Sequence, residues 1–242
     1  DIVDFVNNCN IDDFSKLFNY ADMQYNRVDD LIMLKNGTYA LKDNILDLNE
    51  MCYPLHQYIY YASKTRMDGD MFQTYALAGS GNLGIGVFVS ACFISKAAMV
   101  GDEVKKRAIL LAFLLSVTYK FRTCVANAMC GSALATGFSA AAVACYISGG
   151  SIKQICDSIN NYIAASFGVL CDGAKHTCGF KVANAAVTGV LSAKMALNNQ
   201  VINEVNGINK PDVNETLSII GQLNDSFISK INKGVIPVVD KK

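Results

Sequence analysis

The sequence predicts an all-α fold, a compact multi-helix bundle, on three observations. Only three prolines (Pro54, Pro211 and Pro237) interrupt the 242 residues. Long segments are rich in Ala, Leu, Met and Lys, which favour helices over strands. From residue 83 onward, apolar Gly/Ala-rich blocks alternate with short breaker clusters, as expected of closely packed consecutive helices.

Each element follows from local pattern. Asp12 and Asp13 precede Phe14, Leu17, Phe18 and Met23 at helical spacing, so a first amphipathic helix should end before Asn36-Gly37. A second is expected over residues 41–63. Residues 67–82 carry Asp68-Gly69-Asp70 and Gly79-Ser80-Gly81-Asn82, two breaker clusters that bracket a loop. Six further helices are expected over 83–100, 104–128, 132–147, 152–167, 178–198 and 214–231, with a frayed tail from Lys233. Small residues such as Gly84, Gly86, Ala133, Gly137 and Ala140 allow close helix contact, either around a compact group or in ordinary bundle packing. The chain reads as one domain over 1–242, with an acidic helical lead-in over 1–66 and a core over 67–231.

Composition limits the function. With 52% hydrophobic and 17% charged residues and no net charge, disorder and coiled coil are excluded, and the basic excess that drives nucleic-acid binding is absent. No apolar run reaches the ~20 residues that span a bilayer, so no membrane association is expected. Nine cysteines with no leading apolar segment point to a reducing, cytoplasmic setting. Residues 1–70 hold 12 acidic and 6 basic side chains, whereas no Asp or Glu occurs from Val104 to Cys156. An acid-free centre suits an anionic ligand; a solvated acidic segment beside an apolar one explains the same asymmetry.

Two stretches can carry chemistry. Gly79-Ser80-Gly81-Asn82-Leu83-Gly84 sets a glycine-rich turn before a helix, where backbone N–H groups and the helix dipole can hold a carboxylate or phosphate. A plain turn with Asn82 as N-cap fits equally. The glycine spacing is not that of a dinucleotide-binding fingerprint. Cys171-Asp172-Gly173-Ala174-Lys175-His176-Thr177-Cys178 places two thiols around a turn, and Cys130-Gly131 marks another helix break. Three such thiols suit an iron–sulfur cluster or, with His176, zinc; three buried structural cysteines are the alternative. His176, flanked by both thiols, can act as a supporting donor to such a site. The dispersed Cys9, Cys52, Cys92, Cys124, Cys145 and Cys156 read as small apolar residues.

Four motifs in order, Ser63-Lys64-Thr65-Arg66-Met67-Asp68-Gly69, Gly79 through Ile85, Met129-Cys130-Gly131-Ser132-Ala133, and Leu170-Cys171-Asp172-Gly173-Ala174-Lys175 with Cys178-Gly179-Phe180-Lys181-Val182, carry a family resemblance. The chain resembles the iron–sulfur-dependent L-cysteine desulfidases, relatives of the bacterial L-serine dehydratase alpha chain and of UPF0597-type proteins, and looks like their C-terminal portion. The resemblance implies that Cys130, Cys171 and Cys178 hold a 4Fe-4S cluster with one open iron. It implies that Ser80, Gly81, Asn82 and Arg66 bind the substrate, with Lys175 and His176 supporting the cluster from behind. The implied activity is α,β-elimination of L-cysteine to pyruvate, ammonia and sulfide. L-serine dehydratase-type activity and a non-catalytic, cluster-binding regulatory module are the alternatives. A homodimer, or a second subunit supplying the family's N-terminal portion, is the implied partner, because that portion's Gly-Cys-Thr-Glu-Pro motif does not occur here. Leu83 stands where the family has Gln, Asp68 and Asp70 alter the arginine motif, and Phe138 adds bulk expected to narrow the pocket.

Overall fold

The computed structural model describes residues 2–36, 48–123, 129–202 and 207–239. Within them the chain is helical, with two isolated bridges and no extended strand. The order is α1 (Ile2–Asn8), a 3₁₀ turn (Ile11–Phe14), α2 (Ser15–Asn36), α3 (Leu48–Met67), α4 (Gly81–Ala97), α5 (Asp102–Thr123), α6 (Gly131–Ile147), α7 (Ile152–Ser166), α8 (Thr177–Leu197) and α9 (Val213–Val239).

The all-α expectation holds, with adjustments at the element ends. Ile2–Asn8 forms a short helix not read from the sequence, because Val3 and Val6 bury against the core although the segment is too short to show a period. Helix α3 runs on to Met67 and so carries Arg66 at its C-terminal end, beyond the expected stop at residue 63. Helix α9 continues to Val239, where a frayed tail was expected. Cys124, the last turn expected for 104–128 and the first turn expected for 41–63 lie outside the described residues.

The centre is α6, which packs against α4, α5, α7 and α8. Almost every residue of α6 and of α4 is buried, so each is apolar all round rather than striped, as expected of helices surrounded by others. Glycines set their spacing. Gly137 lies under the Tyr162 ring, whose hydroxyl donates to the Ala133 carbonyl at 3.0 Å, and Gly189 of α8 sits on the Gly137 carbonyl of α6. Phe138 packs edge-on to Tyr119 with centroids 5.2 Å apart, inside the core.

Helix α7 shows how local sequence fixes a boundary. Ser151 Oγ accepts from the Gln154 amide at 3.3 Å, and the Gln154 side chain accepts from the Ser151 amide at 3.0 Å, a reciprocal cap ahead of the Ile155, Ile159, Ile163 stripe. Ser151→Ala is expected to cost about 1 kcal/mol, read as a melting temperature lowered by roughly 2–4 °C.

No helix among the described residues is long and apolar enough to cross a membrane. The cysteines described are all free, with Cys92, Cys130 and Cys145 buried.

Candidate functional site

A cavity of about 440 Å³ opens where the N-terminal ends of α4 and α6 meet. It is lined by Arg66, Ser80, Gly81, Asn82, Cys130, Cys171 and Cys178, together with Met67, Lys120, Met129, Gly131 and Ser132. Segments more than a hundred residues apart in sequence thus form one wall. The two helix ends are tied by their first residues, Ser80 Oγ lying 2.9 Å from Ser132 Oγ.

The turn before α4 is built tightly. Leu77 and Ser80 exchange both backbone hydrogen bonds, and the two residues between them, Ala78 (φ 44) and Gly79 (φ 80), are left-handed. That is the pattern of a two-residue hairpin turn, for which glycine is suited and alanine is strained. Ser80, rather than Asn82, is the N-cap, its Oγ accepting from the Leu83 amide at 3.2 Å. Asn82 lies inside the first turn, where its Oδ1 accepts from Arg66 at 3.2 Å. Arg66 covers Gly81 so closely that a Cβ there would strike its guanidinium. Gly84 abuts the Tyr75 carbonyl, and the Tyr75 amide donates to Gln24 at 2.9 Å, which pins the preceding loop to α2. Leu83 is fully buried and does not line the cavity. Phe138 does not line it either, so the expected narrowing of the pocket by Phe138 is not found.

The thiols arrive from two directions. Cys130 occupies the N-cap position of α6, its amide donating to the Val169 carbonyl at 2.7 Å. Burial pushes its thiol up, the Ala133 amide acts in the opposite sense, and negative charge on Cys171 and Cys178 raises it further. Cys178 Sγ is 3.5 Å from the Lys175 amide and 3.4 Å from the Gly173 carbonyl, so the turn itself orients that sulfur. Lys181 fastens the loop by donating to the Leu170 carbonyl at 2.8 Å and to Asp172, whose carboxyl it holds below the usual range. At the other end, Asp68 accepts from Lys64 and lies 2.6 Å from His176 Nε2.

Lys175 and His176 therefore touch the loop rather than the cavity: Lys175 acts through its backbone, and His176 faces Asp68 with its side chain 64% exposed. The residue missed by sequence reading is Lys120. It ends the apolar run of α5, is only 7% exposed, and reaches across to Gly131, where a Cβ would stand 2.7 Å from its Nζ. Burial pulls its ammonium down, and charge on Cys130 and Cys171 opposes that pull. A lysine closing a long apolar run is the signal that marks it.

Chemically, the cavity offers three sulfur donors, two cations, two helix N-termini and no acidic lining residue among those described. Among the described residues no three His, Cys, Asp or Glu side chains converge closely enough to share one metal ion. Thiolates that hold a multi-iron cluster each bind a different iron, so they stand farther apart than the ligands of one ion.

Residues 16–237 match the family model described as serine dehydratase alpha chain. Among curated relatives, a UPF0597 protein of Aeromonas salmonicida is 34% identical over 67% of this chain and 37% of its own length. A UPF0597 protein of Treponema denticola is 28% identical over 100% of the chain and 57% of its own. One of Clostridium botulinum is 29% identical over 99% and 56%. The chain thus spans about half the length of these relatives. No solved structure matches it.

Proposed function

We propose that this chain, which belongs to the serine dehydratase alpha chain family, is the substrate- and cluster-holding part of a lyase that eliminates the β-substituent of a small amino acid. The favoured substrate is L-cysteine, giving pyruvate, ammonia and sulfide, with L-serine as the alternative that the family's description names. The observation that carries the reading is the gathering of Cys130, Cys171 and Cys178 with Arg66 and Ser80–Asn82 around one cavity.

The donor set suits a 4Fe-4S cluster: three cysteine sulfurs, one of them at a helix N-terminus and one facing an amide, in a cavity that Lys120 also lines and that has no carboxylate among its described lining residues. Cys130, Cys171 and Cys178 would hold it, and an iron left without a protein ligand would supply Lewis acidity toward the β-substituent.

The chain's own residues account for binding and orientation. The α4 N-terminus presents its first amides and dipole to the substrate carboxylate, with Arg66 held by Asn82 as a charged partner. That grip fixes the amino acid so that its β-carbon faces the thiols. In the overall elimination the Cα–H and Cβ–S bonds break, the electron pair forms Cα=Cβ, and sulfide departs. Water then hydrolyses the derived imine to pyruvate and ammonia. Charge develops on the carboxylate side and on the leaving group at once, which is where a preorganised cationic wall helps most.

The decisive experiment measures iron, zinc and acid-labile sulfide in the anaerobically prepared chain, then pyruvate from L-cysteine and L-serine. About four irons and four sulfides per chain with pyruvate release are expected; iron without pyruvate would favour the regulatory module, and zinc or no metal would overturn the cluster. Because the relatives are longer, the assay is run alone and with the family's remaining portion supplied on a second polypeptide. Sizing of the chain checks for a homodimer. Asn82→Ala, which releases Arg66, is expected to raise KM about tenfold with a smaller change in kcat.

A further inference from the structure

Two donors in the cavity converge on one sulfur. Asn82 Nδ2 lies 3.4 Å from Met67 Sδ, and Arg66 Nη1 lies 3.4 Å from the same atom. The Asn82 amide has its direction set, because its Oδ1 accepts from Arg66 Nη1 at 3.2 Å and its N–H side is thereby turned to Met67. Asn82 is only 6% exposed, and all three residues line the cavity. A thioether is a weak acceptor, whereas a carboxylate oxygen takes the same two donors in strong, charge-assisted bonds. Met67 is also placed to move. It is the last residue of α3, followed at Gly69 by a left-handed glycine (φ 85), and its unbranched side chain has three rotatable bonds.

We infer that the Met67 sulfur holds the seat of a carboxylate oxygen, and that Met67 is a positioning residue which keeps the two donors converged and yields to the ligand. Resting on the lyase reading, that ligand is the amino-acid substrate, entering by its carboxylate. A side chain that competes for the seat lowers the apparent affinity by the fraction of time the seat stays open. The strength of the acceptor at position 67 therefore sets the affinity: an apolar side chain raises it and an oxygen acceptor lowers it. A side chain that only packed would show no such opposition, since both changes would disturb it.

The test titrates propionate, which has one carboxylate and nothing to eliminate, into the full chain by calorimetry at constant ionic strength. Met67→Leu keeps the volume and removes the acceptor, and is expected to bind propionate about threefold more tightly than wild type. Met67→Gln brings a carbonyl oxygen to the donors, and is expected to bind it about tenfold more weakly. In turnover, Met67→Leu should lower KM with a smaller change in kcat. Each variant is judged against wild type by itself, so that either carries the test should the other fail to fold. Propionate bound no more tightly by folded Met67→Leu, propionate bound as well by folded Met67→Gln as by wild type, or no binding by wild type overturns the assignment. Opposite responses of the two variants in a chain that releases no pyruvate overturn the lyase reading and leave the assignment of Met67 standing; pyruvate release without those responses does the reverse.

Discussion

Cys130→Ser is expected to strip the anaerobically reconstituted chain of its iron and acid-labile sulfide and to lower pyruvate release by at least about a hundredfold, beyond the loss typical of a residue that only supports a metal ligand. Cys130 has no freedom to compensate. Its backbone is locked by the hydrogen bond to Val169, its side chain is 8% exposed, and the first turn of α6 begins at the next residue. A serine oxygen is harder than sulfur and is not a natural cluster ligand. Cys171→Ser and Cys178→Ser should behave alike. Cys92→Ser should retain iron, since Cys92 is buried beside Asp22 and Lys105, away from the cavity. Full iron and sulfide content in each of the three serine variants at the cavity would sink the cluster proposal.

Gly189→Ala is expected to destabilise the fold by about 3 kcal/mol, although helix propensity alone favours alanine by roughly 1 kcal/mol. The added methyl would run into the Gly137 carbonyl and stand 3.0 Å from the Ala141 amide and 3.1 Å from the Ala140 Cβ. Two of those neighbours are backbone, so relief requires α6 and α8 to separate, which would loosen the most central contact in the molecule. Thermal unfolding should register a drop of roughly 6–12 °C for a chain of this size. A melting point at or above wild type would mean that the two helices pack less tightly than described.

What the sequence revealed depended on how local the cause was. The start of α7 at Ile152 was legible because Ser151 and Gln154 act within one turn, whereas α4 was read two residues late, with Asn82 as its cap, because Ser80 is set in the cap position by its pairing with Leu77. The extension of α3 to Met67 was not: Lys64 and Asp68 pair at its last turn, and Arg66 is held by Asn82 on another helix. Arg66, Ser80, Gly81, Asn82 and the three cysteines came from ordered motifs, whereas spacing by itself left Cys130 far from Cys171. Lys120 was marked only as the lysine that closes the apolar run of α5, and nothing next to it in sequence hints at Gly131, which it meets across the helix boundary. The bulk of Phe138 pointed the wrong way, since only the packing shows that its ring turns toward Tyr119.

Helix α3 ends in two attachments two residues apart: Arg66 reaches the start of α4, and Asp68, just past the helix, meets His176 in the cysteine turn. One short piece of backbone therefore holds both Arg66 and one edge of the turn bearing Cys171 and Cys178. Whatever steadies that piece is shared thermodynamically between the two. On the proposed function, a substrate that tightened the Arg66 end would raise the affinity of the thiols for a cluster, and by reciprocity a bound cluster would raise the affinity for substrate by the same factor.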